Sequence, residues 1–178
     1  MPVTAYHVDR KELLHEGQTV NLVQTNRFPK GDPADMWDSF ATIFPSGLSK
    51  HGLNYFTFNG KHSTESLLCI GELFYEYIRL LRYPDLPARI KSFYAFEDLE
   101  TAKIFAKENK AHRIFEVSAD SYFRADMNLM YLKGVNPNTG ISLPMMFYSA
   151  DKYWRGEMSD EPKIELLLVP PVKIIRFV

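Results

Sequence analysis

A single cysteine, Cys69, in 178 residues excludes an internal disulfide framework and any multi-cysteine zinc site. It stands in the apolar run Leu67-Leu68-Cys69-Ile70, which favours a buried, inert thiol over a nucleophile. Charge of one sign is lacking as well. Lys and Arg number 21 against 22 Asp and Glu, a net charge of -1 that excludes a global basic field for nucleic acid. Lys103, Lys107, Lys110 and Arg113 could form a local strip, but an ordinary solvated face is the simpler reading. No apolar run is long enough to span a membrane, and Met1 to His7 lacks the charged-then-apolar pattern of a signal peptide, so a cytoplasmic protein is expected. Glycine is equally sparse in motifs: there is neither G-x-G-x-x-G nor a P-loop, and no G-x-S-x-G nucleophile elbow. The histidines His7, His15, His51, His62 and His112 are scattered without ligand spacing, so no metal site is expected.

What is present is a large apolar fraction, 46% of residues, with 14% aromatic, which excludes intrinsic disorder and suits a single domain over residues 1–178. Val3–Val8, Val20–Val23, Ser92–Phe96, His112–Val117, Ile164–Val169 and Val172–Phe177 read as strands. Tyr122–Tyr131 fits helix or strand. Short helices are expected over Asp9–Glu16, stopped by Gly17, and around Met36–Ile43, with another over Tyr148–Trp154. The clearest helix runs from Thr64 to Arg82 with Ser63 as N-cap. Its apolar positions Leu67, Ile70, Phe74, Tyr77, Ile78 and Leu81 form one stripe, the predicted buried face. Asp98 caps a further helix to Glu108 that turns Leu99, Ala102, Phe105 and Ala106 inward. Asn136-Pro137-Asn138 reads as a turn. Helices gather in the first half and strands in the second, which argues for an α+β fold over a doubly wound sheet.

Two local features bear on chemistry. Glu165 shares a strand face with Leu167 and Val169, and a desolvated carboxylate there costs on the order of several kcal/mol unless it is paired. It is either an ion pair near solvent or a functional acid at a cleft. His7 in the first strand and Tyr94 in the aromatic strand each admit a structural reading and a ligand-binding one.

The order of short motifs carries more. Tyr6-His7 in a first strand is followed by Leu14-His15-Glu16-Gly17. Phe93-Tyr94-Ala95-Phe96 then runs into Ala102-Lys103-Ile104-Phe105-Ala106. A block from Glu76-Tyr77-Ile78-Arg79 to Tyr83-Pro84-Asp85-Leu86-Pro87-Ala88-Arg89 lies between, and Tyr153-Trp154-Arg155-Gly156 precedes the strand bearing Glu165. This order resembles the ADP-ribosyltransferase superfamily in its His-Tyr-Glu branch, most closely a bacterial and phage family assigned to that fold.

The resemblance implies a split antiparallel β core with helices packed around it, and NAD as substrate with no metal. It implies transfer of ADP-ribose to a protein or nucleic-acid acceptor, as in a bacterial toxin or phage-defence effector, with an antitoxin as a candidate partner. An NAD glycohydrolase, or a non-enzymatic module of the same fold, is the alternative. Carried over by residue, His7 holds the adenosine ribose, and the backbone of Val8 holds the carboxamide. Tyr94, or its neighbour Phe93, stacks on the nicotinamide, Arg10 reaches a phosphate, and Glu165 is the catalytic acid. Val8 stands where many relatives carry glycine, and Glu157 and Glu161 compete for the acid role.

Overall fold

The computed structural model describes residues 2–24, 38, 41–56, 63–130, 135–136 and 140–178. The strands are β1 (Val3–Val8), β2 (Thr19–Val20), β3 (Phe93–Ala95), β4 (Ile114–Ala119), β5 (Tyr122–Asp126), β6 (Val135–Asn136), β7 (Gly140–Ile141), β8 (Ile164–Leu168) and β9 (Val172–Phe177). The helices are α1 (Lys50–Phe56), α2 (Ser63–Arg82), α3 (Leu99–Glu108) and α4 (Leu143–Trp154), with 3-10 turns at Arg89–Lys91 and Met127–Leu129. The fold is α+β, and the pairings between these strands are antiparallel.

Two sheets form the core, one in the order β1-β4-β9-β2 and one in the order β3-β8-β5. Ala5, Val117 and Ile174 of the first meet Ala95, Leu166 and Leu168 of the second in one apolar cluster. The other face of β8 packs Leu167 with Tyr75 and Ile78 of α2 and Tyr153 and Trp154 of α4. The sheets join where Tyr6 and Phe96 exchange two backbone hydrogen bonds, of 2.9 and 2.8 Å, so the outer edge of β1 meets the end of β3.

Several local expectations fall into place for the reasons given. Asp98 accepts the Thr101 backbone N–H at 2.7 Å, and α3 buries Ala102 and Ala106. Tyr122–Tyr131 resolves into β5 and the turn at Met127, with Tyr131 outside the described residues. β6 and β7 pair, and residues 137 and 138 of the expected Asn136-Pro137-Asn138 turn lie outside the described residues. Of the expected Met36–Ile43 helix, Asp38 and 41–43 are helical and the rest lies outside them.

Three expectations are corrected. Asp9–Glu16 is not a helix: the buried Asp9 carboxylate accepts the Leu14 backbone N–H at 2.9 Å, and Glu12 adopts a φ of 54°, which closes a turn instead. The second strand is only Thr19–Val20, and Val23 forms a lone bridge to Leu48. Most consequentially, the buried face of α2 is turned from the expected stripe. Ile78 and Phe74 pack inward as expected, but Ile70, Tyr77 and Leu81 are 48%, 53% and 60% exposed, and Gly71, Glu72, Tyr75, Glu76 and Arg79 are buried in their place. The charged residues can lie inward because each is paired. Arg79 grips Glu76 and donates to the carbonyls of Pro84 and Leu86 at 3.0 and 2.9 Å. That pins the loop leading to Arg89, the partner of Glu72. Cys69, expected to be buried, is partly so.

Candidate functional site

A cavity of about 1000 Å³ opens at the seam between the sheets. β1 and its following turn supply His7, Val8, Arg10 and Lys11; α1 supplies Lys50, His51, Asn54 and Tyr55. α2 adds Gly71 and Glu72, the turn after it Arg89, β3 Phe93 and Tyr94, and β8 Glu165. Every site residue named from the sequence, His7, Val8, Arg10, Phe93, Tyr94 and Glu165, lines this one cavity. The competing acids do not. Glu157 pairs with Arg155 and Lys152, and Glu161 is exposed. The basic strip is not a single face either. Lys103 pairs with Glu100, while Arg113 turns in to the Leu14 carbonyl.

The floor is a lattice of charge around Arg89. Its Nε and one terminal nitrogen donate to the two oxygens of Glu72 at 2.8 and 3.0 Å. Its other terminal nitrogen donates to Oε1 of Glu165 at 2.5 Å and to the Tyr153 hydroxyl. That hydroxyl donates in turn to the same Oε1 at 2.8 Å. Both bonds to Glu165 use one oxygen, and Oε2 has no hydrogen-bond partner among the described residues. Two buried carboxylates against one guanidinium leave a net charge of minus one here. Burial would lower the Arg89 guanidinium's affinity for its proton, but Glu165 and Glu72 hold it well above the ordinary value. Burial likewise favours a neutral Glu72, and the Arg89 charge and hydrogen bonds outweigh it and keep the carboxyl below its ordinary range.

The wall is aromatic. The Tyr94 ring lies 4.9 Å from the Arg89 guanidinium, and its hydroxyl donates to the Arg89 carbonyl at 2.9 Å. His7 and Phe93 have ring centroids 4.2 Å apart. Nδ1 of His7 lies 2.6 Å from the Tyr94 carbonyl. A carbonyl only accepts, so Nδ1 carries the proton and Nε2 is left as an acceptor in the neutral ring. Burial, only partly countered by that bond, lowers the His7 pKa and keeps the ring neutral. Tyr6 spends its peptide groups on Phe96, and by strand alternation those of Val8 face the same outer edge, beside the cavity, where the Val8 carbonyl accepts the Arg10 N–H at 3.1 Å. At the rim stand the cations Arg10, Lys11 and Lys50.

Sequence reasoning missed His51, Tyr55, Glu72 and Arg89. α1 reaches the site because Gly52 has no side chain: a β-carbon there would overlap the Ile90 carbonyl, the oxygen to which Ser49 also donates. This contact seats α1 against the turn that carries Arg89. Burial pushes the His51 pKa from 6.5 to about 4, against the opposing pull of Glu72.

These shifts set a pH dependence. Glu72 has a lowered pKa in the fold, so its pairing contributes stability that is full above the ordinary carboxylate range and fades as pH falls through the lowered value. His51, neutral in the fold, works in the same direction from 6.5 down to about 4. Thermal melts should therefore fall as pH drops from neutral to about 4, and His51→Asn should flatten that slope. An equally steep slope in the variant would contradict this account.

Among the described residues no helix is long and apolar enough to cross a membrane, and no three His, Cys, Asp or Glu side chains group to hold a metal ion. Residues 5–178 match the model of a family described as a protein of unknown function, DUF2441. No curated protein matches the chain.

Proposed function

The chain belongs to the DUF2441 family, and from the chemistry of its cavity we propose that it cleaves the nicotinamide–ribose bond of NAD and transfers ADP-ribose to an acceptor. The observation that carries this reading is the convergence of His7, Tyr94 and Glu165, 158 positions apart from first to last in the chain, on one cavity with a cationic rim. Arg10, Lys11 and Lys50 suit a diphosphate. Nε2 of His7 is an acceptor for a ribose hydroxyl, the backbone edge at Val8 suits a carboxamide, and Phe93 and Tyr94 offer ring faces to the nicotinamide.

Breaking the glycosidic bond builds positive charge on the ribose. Fixed negative charge in a dry site stabilises it, and needs no reorganisation as the reaction proceeds. The lattice supplies one net negative charge at that place, and the second oxygen of Glu165 is open to a ribose hydroxyl. The departing nicotinamide takes the bonding electron pair, and the acceptor attacks the anomeric carbon and loses its proton. A protein or nucleic-acid acceptor, in a toxin or phage-defence setting, extends the same reading. One observation favours a module that binds without cleaving: Oε1 of Glu165 is already taken by Arg89 and Tyr153.

NAD turnover, followed as nicotinamide release, separates these readings. Binding is tested by thermal melts with and without NAD on His7→Ala and Tyr94→Phe. Loss of the Tyr94 hydroxyl bond should cost only about 1 kcal/mol of stability. His7→Ala should weaken NAD binding tenfold or more, the equivalent of about 1.4 kcal/mol. An undiminished NAD-induced rise in melting temperature in His7→Ala would return that residue to a packing role.

A further inference from the structure

A second chain of hydrogen bonds runs into the cavity from α1 and meets the charge lattice at Glu72; its outer members, His51 and Tyr55, are not used by the transfer step described above. The Tyr55 hydroxyl lies 2.8 Å from Nε2 of His51, one helical turn away in α1, and 3.2 Å from Oε1 of Glu72. A hydroxyl has one proton to donate. Glu72 is ionised by its pairing with Arg89 and can only accept, so the Tyr55 proton goes to Glu72. The Tyr55 oxygen must then accept from His51, which places the imidazole proton on Nε2. Nδ1 is left bare, with no hydrogen-bond partner among the described residues, on a ring that lines the cavity and lies 4.4 Å from the ring of Tyr94. The two histidines of the cavity therefore hold opposite tautomers: His7 protonated on Nδ1 and His51 on Nε2.

We infer that His51 is a catalytic base of the site, held by the positioning residues Tyr55 and Glu72, and that the acceptor it serves is a hydroxyl. The inference rests on the dinucleotide reading. Its step balances as follows: the C1′–N bond of NAD breaks with its electron pair leaving on nicotinamide. The oxygen of the hydroxyl bonds to C1′, and its proton passes to Nδ1 of His51. A carboxylate acceptor has no proton to give up and needs no base. A guanidinium has no lone pair to attack with until it has lost its proton, whereas a hydroxyl attacks first and becomes strongly acidic as its oxygen bonds to C1′, so that even a weakly basic imidazole can take the proton. A hydroxyl, of water or of an alcohol, is the acceptor that such a base serves. Tyr55, Glu72, Arg89, Arg10, His7 and Tyr94 are the titratable and charged groups that face the ring.

The test has two arms. Histidine nitrogen shifts by NMR on the labelled full chain report the tautomer directly, and should show His51 as Nε2–H with Nδ1 bare. Tyr55→Phe should let the two tautomers mix, and a His51 protonated on Nδ1 in the wild type overturns the inference. The second arm is turnover. His51→Asn keeps an oxygen acceptor close to the Nδ1 position but cannot take a proton. It should bind NAD within about threefold of wild type while cleavage falls by about 10²-fold or more. Methanol added as a probe distinguishes the sources: a methyl glycoside of ADP-ribose marks an alcohol site and ADP-ribose alone marks water. Cleavage by His51→Asn within about threefold of wild type overturns the inference. Glu165→Gln should lose cleavage with the His51 tautomer unchanged. A wild type that neither binds nor cleaves NAD overturns the dinucleotide reading and the transfer step with it, and the nitrogen shifts then decide the hydrogen-bond chain alone.

Discussion

Replacing Glu165 by Gln should lower nicotinamide release from NAD by about 10²-fold or more. The amide keeps the shape of the side chain but removes the net negative charge of the lattice, because Glu72 and Arg89 then cancel. NAD binding should persist, since the rim cations and the aromatic wall are untouched. The melt should fall moderately. Arg89 loses one charged hydrogen-bond partner, a change of about 2 kcal/mol, but keeps both bonds to Glu72. Glu157→Gln and Glu161→Gln serve as controls and should retain turnover, because neither residue lines the cavity. Wild-type turnover in Glu165→Gln would refute its role as the acid.

The largest loss of stability should come from Arg89→Met. The side chain of Arg89 is 5% exposed, and its removal leaves Glu72 and Glu165 buried without a countercharge. Breaking a buried ion pair from one side costs about 3–5 kcal/mol, and here two carboxylates are stranded together. Adding Glu72→Gln and Glu165→Gln to Arg89→Met should recover much of the loss, since no uncompensated charge then remains. Urea unfolding of the single and triple variants measures both. A single variant as stable as wild type would show that water reaches the lattice and screens it.

Short-range pattern and long-range pairing divide what could be read in the sequence from what could not. β1, β8, β9 and the Asp98-capped α3 were legible because short apolar runs and caps are local signals; β8, a nearly continuous apolar run, is buried on both faces. The motif order brought out His7, Phe93, Tyr94 and Glu165, which line one cavity. The face of α2 was only partly legible, at Phe74 and Ile78, because periodicity assumes that apolar residues go in. Here Glu72, Glu76 and Arg79 go in as well: Glu76 is held by Arg79 within the helix, but Glu72 and Arg79 rely on Arg89 and the loop at Pro84, outside the helix's own sequence. For the same reason His51 and Tyr55 were missed. In the sequence they are two polar residues on a short segment, and only the close approach at Gly52 brings them to the site. The Asp9–Glu16 helix failed on turn chemistry: the Asp9 side chain captures a backbone N–H that a helix would have used elsewhere.

Arg89 and its partners are at once the cavity floor and the joint that holds α2 to β8 and α4. Tolerance to substitution therefore cannot be used naively to find the active centre. A random library screened only for soluble expression would already reject changes at Arg89, Glu72 and Tyr153, and those positions would look essential even in a protein with no chemistry. The informative positions are Lys11, Lys50 and His51, which sit at the cavity without anchoring that joint. Intolerance there, in a screen for activity but not in one for expression, would be the mark of a working site.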